Sequence, residues 1–469
     1  MSSFVLGLYS GLMRLAQPLV RRKMARRAVQ ESGYGEAVDE RFGRYTHPLE
    51  ASSQLVWLHA VSLGETRTAA VLLKALREQH PGLRLLLTHG TATGRAEGRA
   101  LLLPGDVQVW QPWDTQVVVE RFFKHFKPRL GLLMETEVWP CLVASAKESG
   151  TPLVLCNARL SERTLQQALT MAPIAYPAYG ALKAVCAQTI DDARRFRQLG
   201  VEAAGVFGNI KFDAAPNPEF QATGKAWRQC LGRPVVMFAS SREGEEALFL
   251  KQIRALADTN TAQAAPDSIA DKTLLSNAPK FLIVPRHPQR FDEVAALAIE
   301  HGFKVSRRSS WTAGPADDDE AMQADIWLGD TLGEMALYYA LSDVAFLGGS
   351  FEKLGGQNLI EAAACGCPVV MGPHTFNFTE AAELAEAAGA AKRVDDMAEG
   401  VQLAVQLANP STNRSANQSA NQSANQSTNS GQQHTERSNA ALAFAAAHQG
   451  ATLKTLQALE RYLPKAPGA

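Results

Sequence analysis

The chain carries no paired-cysteine motif, no excess of either charge and no clean apolar run of membrane-spanning length, and each shortfall narrows what it can be. Its 47 Lys+Arg balance 47 Asp+Glu, which argues against a protein built to coat nucleic acid. Six cysteines, at 141, 156, 186, 230, 365 and 367, make no Cys-x-x-Cys pair and no Cys/His zinc spacing. They read as buried or half-buried free thiols of a reducing compartment, which puts the main body in the cytosol. The ten histidines show neither HxH nor HxxxH spacing, and the acidic run Asp317 to Glu320 beside Gly314 and Pro315 reads as a solvated loop, so no protein metal site is expected. Aromatic residues are only 7%, but a 46% hydrophobic and 20% charged composition is that of an ordinary globular chain and excludes wholesale disorder. At about 100–200 residues per domain, 469 residues suggest two to four domains.

Residues 4–20 are mostly apolar, and Arg21, Arg22, Lys23, Arg26 and Arg27 follow directly. With Arg14 that makes six cations before the first acidic residue, Glu31. A secretory signal has the opposite order, with its charges before the apolar run. A spanning helix wants about 20 clean apolar residues, whereas this run is shorter and holds Arg14, Gln17 and Pro18. Residues 1–30 are therefore expected to be a membrane-associated segment, either an interfacial anchor or a short tilted span. Its basic flank would lie against anionic membrane lipid on the cytoplasmic side of the inner membrane. The bland alternative is a helix packed on the protein's own surface.

From residue 54 short apolar runs alternate with helical periodicity. Residues 54–61, 83–90, 107–112, 129–136, 152–159 and 183–189 read as buried strands, with stretches such as TAAVLLKALREQ between them. A Pro/Asn-rich pause at 206–220 reads as a linker, and strands resume at 233–241, 280–287, 324–330, 343–350 and 367–373. Continuous apolar strands alternating with helices are the mark of a parallel sheet covered on both faces. The expectation is α/β: two Rossmann-like, doubly wound domains over 40–213 and 223–437, hinged near 211–222, with a C-terminal helix (about 438–463, in 438–469) packing back on the body. Two polar stretches, 258–278 and 411–433, read as flexible loops; the second repeats ANQS three times over 416–427.

In doubly wound domains, ligands meet the loops at the carboxyl ends of the strands. There the sequence places WLHAVSLGETRTA, in which Glu65 reads equally as a general base and as the acid of a capping box with Ser62. METEVWP sets Glu135 and Glu137 at the end of an apolar strand, where either also serves to cap a helix starting near Pro140. Arg159, Arg163 and Lys211 bring cations suited to an anionic substrate, or are surface residues. In the second half ASSREGEE, PRHPQRF and GDTLGEM are turns after strands. GGSFEKLGGQNLIEAAACG is a glycine-rich loop into a helix beginning near Gln357, fit to approach a phosphate, with Glu361 suited to ribose hydroxyls. It is neither a Walker A loop nor GxGxxG.

Taken in order, WLHAVSLGE, ETEVWP, NARLSER, GNIKFD, ASSREGEE, PRHPQRF, GDTLGE, GGSFEKLGGQN and GPHTFNFTE resemble one family closely. It is the 3-deoxy-D-manno-octulosonic acid (Kdo) transferases of lipopolysaccharide synthesis, and the resemblance runs to about residue 390. One departure is Gln357, where a His is common before the Asn. The resemblance implies GT-B architecture, two Rossmann-like domains facing a cleft. It implies inverting transfer of Kdo from CMP-Kdo to a hydroxyl of a lipid A precursor (lipid IVA), without a bound metal or cofactor. On matching positions it implies Glu65 as general base, with Glu135 and Lys211 steadying the transition state. Pro285, Arg286, Leu332, Gly333, Glu334, Asn358, Leu359, Ile360 and Glu361 would be the CMP-binding set. Two other readings stand beside it: a sugar-nucleotide epimerase of the same architecture, which needs no membrane anchor, and a non-catalytic binding module at the membrane.

Overall fold

A strand flanked by helices on both faces has no side to present to water, so its residues are apolar without interruption. In a computed structural model, describing residues 3–51, 55–263, 278–408 and 423–463, the chain divides into two units, Met1–Ala214 with His448–Ala469, and Ala215–Ala447. The first unit contains β1 (Leu55–His59), β2 (Arg84–His89), β3 (Val107–Trp110), β4 (Leu130–Met134), β5 (Leu153–Ala158), β6 (Ala184–Ala187) and β7 (Gly205–Val206). All neighbours are parallel, in the order β3-β2-β1-β4-β5-β6-β7. Alternate residues of one strand enter different cores. Leu55 and Trp57 join Phe122, Leu133 and Leu155 on one face, while Val56 and Leu58 join Leu72, Leu132 and Val154 on the other.

The second unit contains β8 (Val235–Ser241), β9 (Lys280–Pro285), β10 (Val305–Arg307), β11 (Ile326–Leu328), β12 (Val344–Leu347), β13 (Val369–Met371) and β14 (Ala391–Arg393). Its sheet is also wholly parallel, in the order β10-β11-β9-β8-β12-β13-β14. The strand order reverses between β1 and β4 in one sheet and between β8 and β12 in the other, and such switch points open crevices for ligands. Every strand expected from the sequence forms. The sequence reading missed β7, β10 and β14, edge strands of two or three residues whose burial is incomplete, so they carry no apolar run.

Three local expectations change. The apolar N-terminus forms two helices, Ser3–Leu15 and Gln17–Gln30, the second opened by Pro18 in its first turn, where the missing N–H is harmless. Among the described residues no helix is long and apolar enough to cross a membrane, so the short-span alternative finds no support. The single C-terminal helix is two, Ser423–His448 and Ala451–Leu459, broken by Gly450 in a left-handed conformation (φ 100°). Within the polar stretches, 258–263 continue the helix Glu245–Gln263, and 423–433 begin the helix Ser423–His448 rather than a loop. That helix is anchored further on by buried Ala441, Phe444 and Ala445, and extending an existing helix is easier than starting one. The rest of those stretches, 264–277 and 411–422, lies outside the described residues.

Candidate active site

The helix Leu63–Gln79 starts just past β1, and Ser62 caps it by accepting the Glu65 N–H at 3.3 Å. The Glu65 side chain turns back to complete the cap. Its Oε2 accepts the Val61 N–H at 2.7 Å, and its Oε1 receives the Ser62 hydroxyl at 3.1 Å. Both readings of this residue thus use the same atoms. Burial pushes the Glu65 carboxyl up to about 7; the Val61 N–H opposes this, and the negative charges of Glu135 and Glu137 add to it. A carboxyl group titrating there suits proton abstraction near neutral pH.

Across the switch point, Glu135 follows β4 in a left-handed conformation (φ 56°), rare for a residue with a side chain. Its Oε1 accepts from Lys211 Nζ at 3.1 Å, with both side chains partly covered. Lys211 is supplied by the short turn Ile210–Asp213, which is pinned when Asn157 Oδ1 accepts the Ile210 N–H at 2.9 Å. Asn157, near the end of β5, is itself left-handed (φ 51°). Strain of this kind gathers where a site must present particular groups.

Glu137 faces His59, with His59 Nε2 lying 3.8 Å from Glu137 Oε2, and it accepts the Trp139 indole N–H at 2.8 Å. Burial alone would raise Glu137, but His59 and Trp139 outweigh it and hold the carboxyl below its ordinary range. On its other side, His59 Nδ1 is 2.8 Å from Thr88 Oγ1, which accepts the Trp57 indole N–H at 2.8 Å. The Thr88 hydroxyl proton is then best used on His59 Nδ1, leaving the ring proton on Nε2, directed at Glu137. A lone histidine in an apolar strand gave no signal of this; Thr88 and His59 are found only once β1 and β2 are paired. Arg159 and Arg163 stand exposed. Among the described residues, no group of three or more His, Cys, Asp and Glu side chains is placed to hold a metal ion.

In the second unit the glycine-rich loop after β12 is held by a buried acid that the sequence reading passed over. Glu245 Oε2 accepts the Gly349 N–H at 2.7 Å and the Arg242 N–H at 3.0 Å; Oε1 accepts from Phe351 N at 3.0 Å and Glu352 N at 3.4 Å. Burial raises the Glu245 carboxyl against the pull of these donors. Of the residues expected to bind nucleotide, Pro285 ends β9 and the Arg286 N–H donates to Ser241 O at 3.0 Å, beside β8. Leu332 is exposed and Gly333 is left-handed (φ 83°). Glu334 accepts from Arg308 Nη2 at 3.0 Å and from the Thr331 hydroxyl. Asn358 Oδ1 accepts the Ile360 N–H at 3.0 Å, while Leu359 and Ile360 are buried and offer a ligand only backbone. The helix there runs Ile360–Ala364, starting three residues later than expected, because Gly355 and Gly356 are both left-handed and Asn358 holds the Ile360 N–H at the helix start.

Residues 36–214 match the family model described as 3-deoxy-D-manno-octulosonic-acid transferase (kdotransferase). The chain is 44% identical to the 3-deoxy-D-manno-octulosonic acid transferase of Bordetella pertussis over 468 residues, covering 97% of this chain and 99% of that one. To the transferase of the same name from Haemophilus influenzae it is 32% identical over 380 residues, covering 79% and 83%. Among solved structures, a UDP-GlcNAc 2-epimerase from Neisseria meningitidis matches with a TM-score of 0.51 at 14% identity, covering 87% of this chain and 100% of that one. A glycosyltransferase from Rickettsia africae matches with a TM-score of 0.50 at 13% identity, covering 88% and 98%. At those identities the structural likeness is one of fold, and it gives the epimerase reading no further weight. The sequence relationships decide the matter: the chain belongs to the 3-deoxy-D-manno-octulosonic acid transferase family of glycosyltransferase enzymes.

Proposed function

We propose that the protein transfers Kdo from CMP-Kdo to a hydroxyl of a lipid A precursor in lipopolysaccharide synthesis, with inversion and with Glu65 as general base. The observation that carries this is a carboxyl tuned to about 7 at the mouth of β1, in the company of the Glu135–Lys211 pair and Glu137. The Val61 N–H fixes Oε2, while among the described residues Oε1 meets only the Ser62 hydroxyl, which rotates to give up its place to an acceptor hydroxyl. The acceptor oxygen then bonds to the anomeric carbon of Kdo, its proton goes to Glu65 Oε1, and the bond from that carbon to the phosphate oxygen breaks to release CMP. Lys211, steadied by Glu135, supplies positive charge for the carboxylate of the donor sugar. Pro285, Arg286, the turn 332–334 and residues 358–361 form the cytidylate set, with Arg286 toward the phosphate and Glu361 toward the ribose. The two N-terminal helices attach the enzyme to the cytoplasmic face of the inner membrane by lying in its interface, since their apolar residues Phe4, Leu8, Leu12, Leu15 and Leu19 are exposed.

The test is incubation with labelled CMP-Kdo, with and without lipid A precursor, followed by mass spectrometry of the lipid. Wild type releases CMP in step with Kdo appearing on the lipid, and Glu65→Gln loses about 100- to 10,000-fold in turnover while still binding CMP-Kdo. CMP release indifferent to the lipid, or near-normal transfer by Glu65→Gln, would end this reading.

A further inference from the structure

The helix Ser3–Leu15 carries three stripes with three different fates. Leu6 and Tyr9 pack into the core of the first unit, and the helix is tied down there by Trp113 Nε1 donating to Met13 O at 2.8 Å and Gln116 N donating to Ser10 Oγ at 3.0 Å. A second stripe, Leu8, Leu12 and Leu15, is 59%, 60% and 78% exposed. The third, Gly7, Ser10, Gly11 and Arg14, faces a cavity of about 450 Å³ between this helix and the start of the helix Gln116–Phe126. A Cβ at Gly7 or Gly11 would meet nothing within 4 Å, so the space beside this stripe is open.

The cavity lining holds four arginines, Arg14, Arg21, Arg44 and Arg121, and no acidic residue. Arg21 is engaged, stacked 3.8 Å over Phe42 and paired with Asp39 at 3.2 Å. The guanidinium groups of Arg14, Arg44 and Arg121 make no hydrogen bond, ion pair or ring contact among the described residues. In a chain whose charges balance overall, three exposed guanidinium groups line one cavity whose walls hold no acidic residue, an arrangement that a bound anion complements. Arginine forks match phosphate oxygens. The adjoining apolar stripe indicates what the anion is attached to, because an interfacial helix buries such a stripe at the acyl boundary, level with the phosphates.

We propose that this cavity is a headgroup site for an anionic phospholipid of the bilayer, with Arg14, Arg44 and Arg121 grasping the phosphate while Leu8, Leu12 and Leu15 lie beside the acyl chains. The site rests on the interfacial reading of the N-terminal helices and adds to it a specific pocket where a diffuse basic flank was expected. None of its residues belongs to the Glu65 cluster or the nucleotide set.

The test floats the full-length protein with vesicles of phosphatidylcholine alone or mixed with phosphatidylglycerol. Wild type binds the mixed vesicles more tightly. Arg44→Gln/Arg121→Gln loses about a hundredfold on the mixed vesicles, more than the roughly ten- to thirtyfold that two cations supply by diffuse attraction to a charged surface, and little on phosphatidylcholine. Arg22→Gln/Arg26→Gln removes the same charge outside the cavity and loses no more than that diffuse share. Equal losses in the two double variants mean diffuse attraction and overturn the site. Unchanged flotation of Arg44→Gln/Arg121→Gln, with a raised KM for acceptor lipid presented in detergent, assigns the phosphate to the acceptor and overturns it equally. Leu8→Ser/Leu12→Ser reads out the underlying attachment and weakens binding to both vesicles; if that variant floats like wild type, interfacial attachment itself fails and takes the site with it.

Discussion

Glu65 is held where its proton is favoured, and that has a thermodynamic signature separate from catalysis. Its folded pKa of about 7 stands above the ordinary 4.5, so the native state binds a proton the unfolded chain has already lost. Wild-type stability therefore declines as the pH rises from about 4.5 to 7, and the shortfall is complete above 7. Glu65→Gln keeps an oxygen for the Val61 N–H and removes the charge. Denaturant unfolding should find that variant more stable than wild type by about 2–3 kcal/mol at pH 8, the two converging below pH 4.5. The same tuning predicts that kcat/KM falls below about pH 7 as the base is protonated. Glu137 stays ionised across that range and repels the charge on Glu65, so Glu137→Gln should move this acid limb to lower pH, read from the pH–rate profile. At this scale the sequence was half legible. Ser62 and Glu65 announce a cap and an acid by spacing alone. Which oxygen is held by a backbone N–H and which by the Ser62 hydroxyl depends on the exit path of β1, and the partnership of His59 with Glu137 depends on β1 pairing with both β2 and β4.

At the scale of elements, the glycine-rich loop of the second unit is fixed through Glu245. The first turn of the helix Glu245–Gln263 brings its carboxylate under the loop after β12, where it collects the N–H groups of Gly349, Phe351 and Glu352. Gly348 lets the start of this loop lie against the end of β8, since a Cβ there would collide with the Ser240 carbonyl oxygen. Glu245→Ala leaves those donors buried and unpaired, which should destabilise the second unit by about 2–4 kcal/mol. It should also speed amide hydrogen exchange over residues 348–356 and raise the KM for CMP-Kdo more than it lowers kcat. The glycines of this loop are conspicuous in the sequence. The acid that orders them is not, because its partners in the loop are more than 100 positions away and it reads as one of several glutamates opening a helix. Element type was legible wherever a strand is central and wholly apolar. It was illegible at the sheet edges, where a two- or three-residue strand has one neighbour and a partly exposed face.

At the scale of the whole molecule, the second unit is a continuous stretch and the first is not. The chain returns to the first unit from His448, and Asp213 receives it by accepting the backbone N–H groups of Gly450 and Thr452. Leu456, Leu459 and Leu463 then enter the core that holds Val154, Cys186 and Ile210. Burying such side chains contributes roughly 1.5–3 kcal/mol each, so truncation after Ala447 should lower the unfolding midpoint of the first unit sharply. The second unit, monitored by calorimetry with and without CMP, should melt unchanged. That two α/β units are present was plain from the pause at 206–220; the division at Ala214 falls inside it. The amphipathic tail announced a helix that packs back, but its break at Gly450 was not read, since one glycine in an alanine-rich stretch is a weak stop. The returning tail also sets a timetable for synthesis. A ribosome completes every residue of the second unit before the helix Ala451–Leu459, which closes the first unit's core, leaves the exit tunnel. The second unit of the nascent protein can thus close on itself while the first, which holds Glu65, is still unsealed.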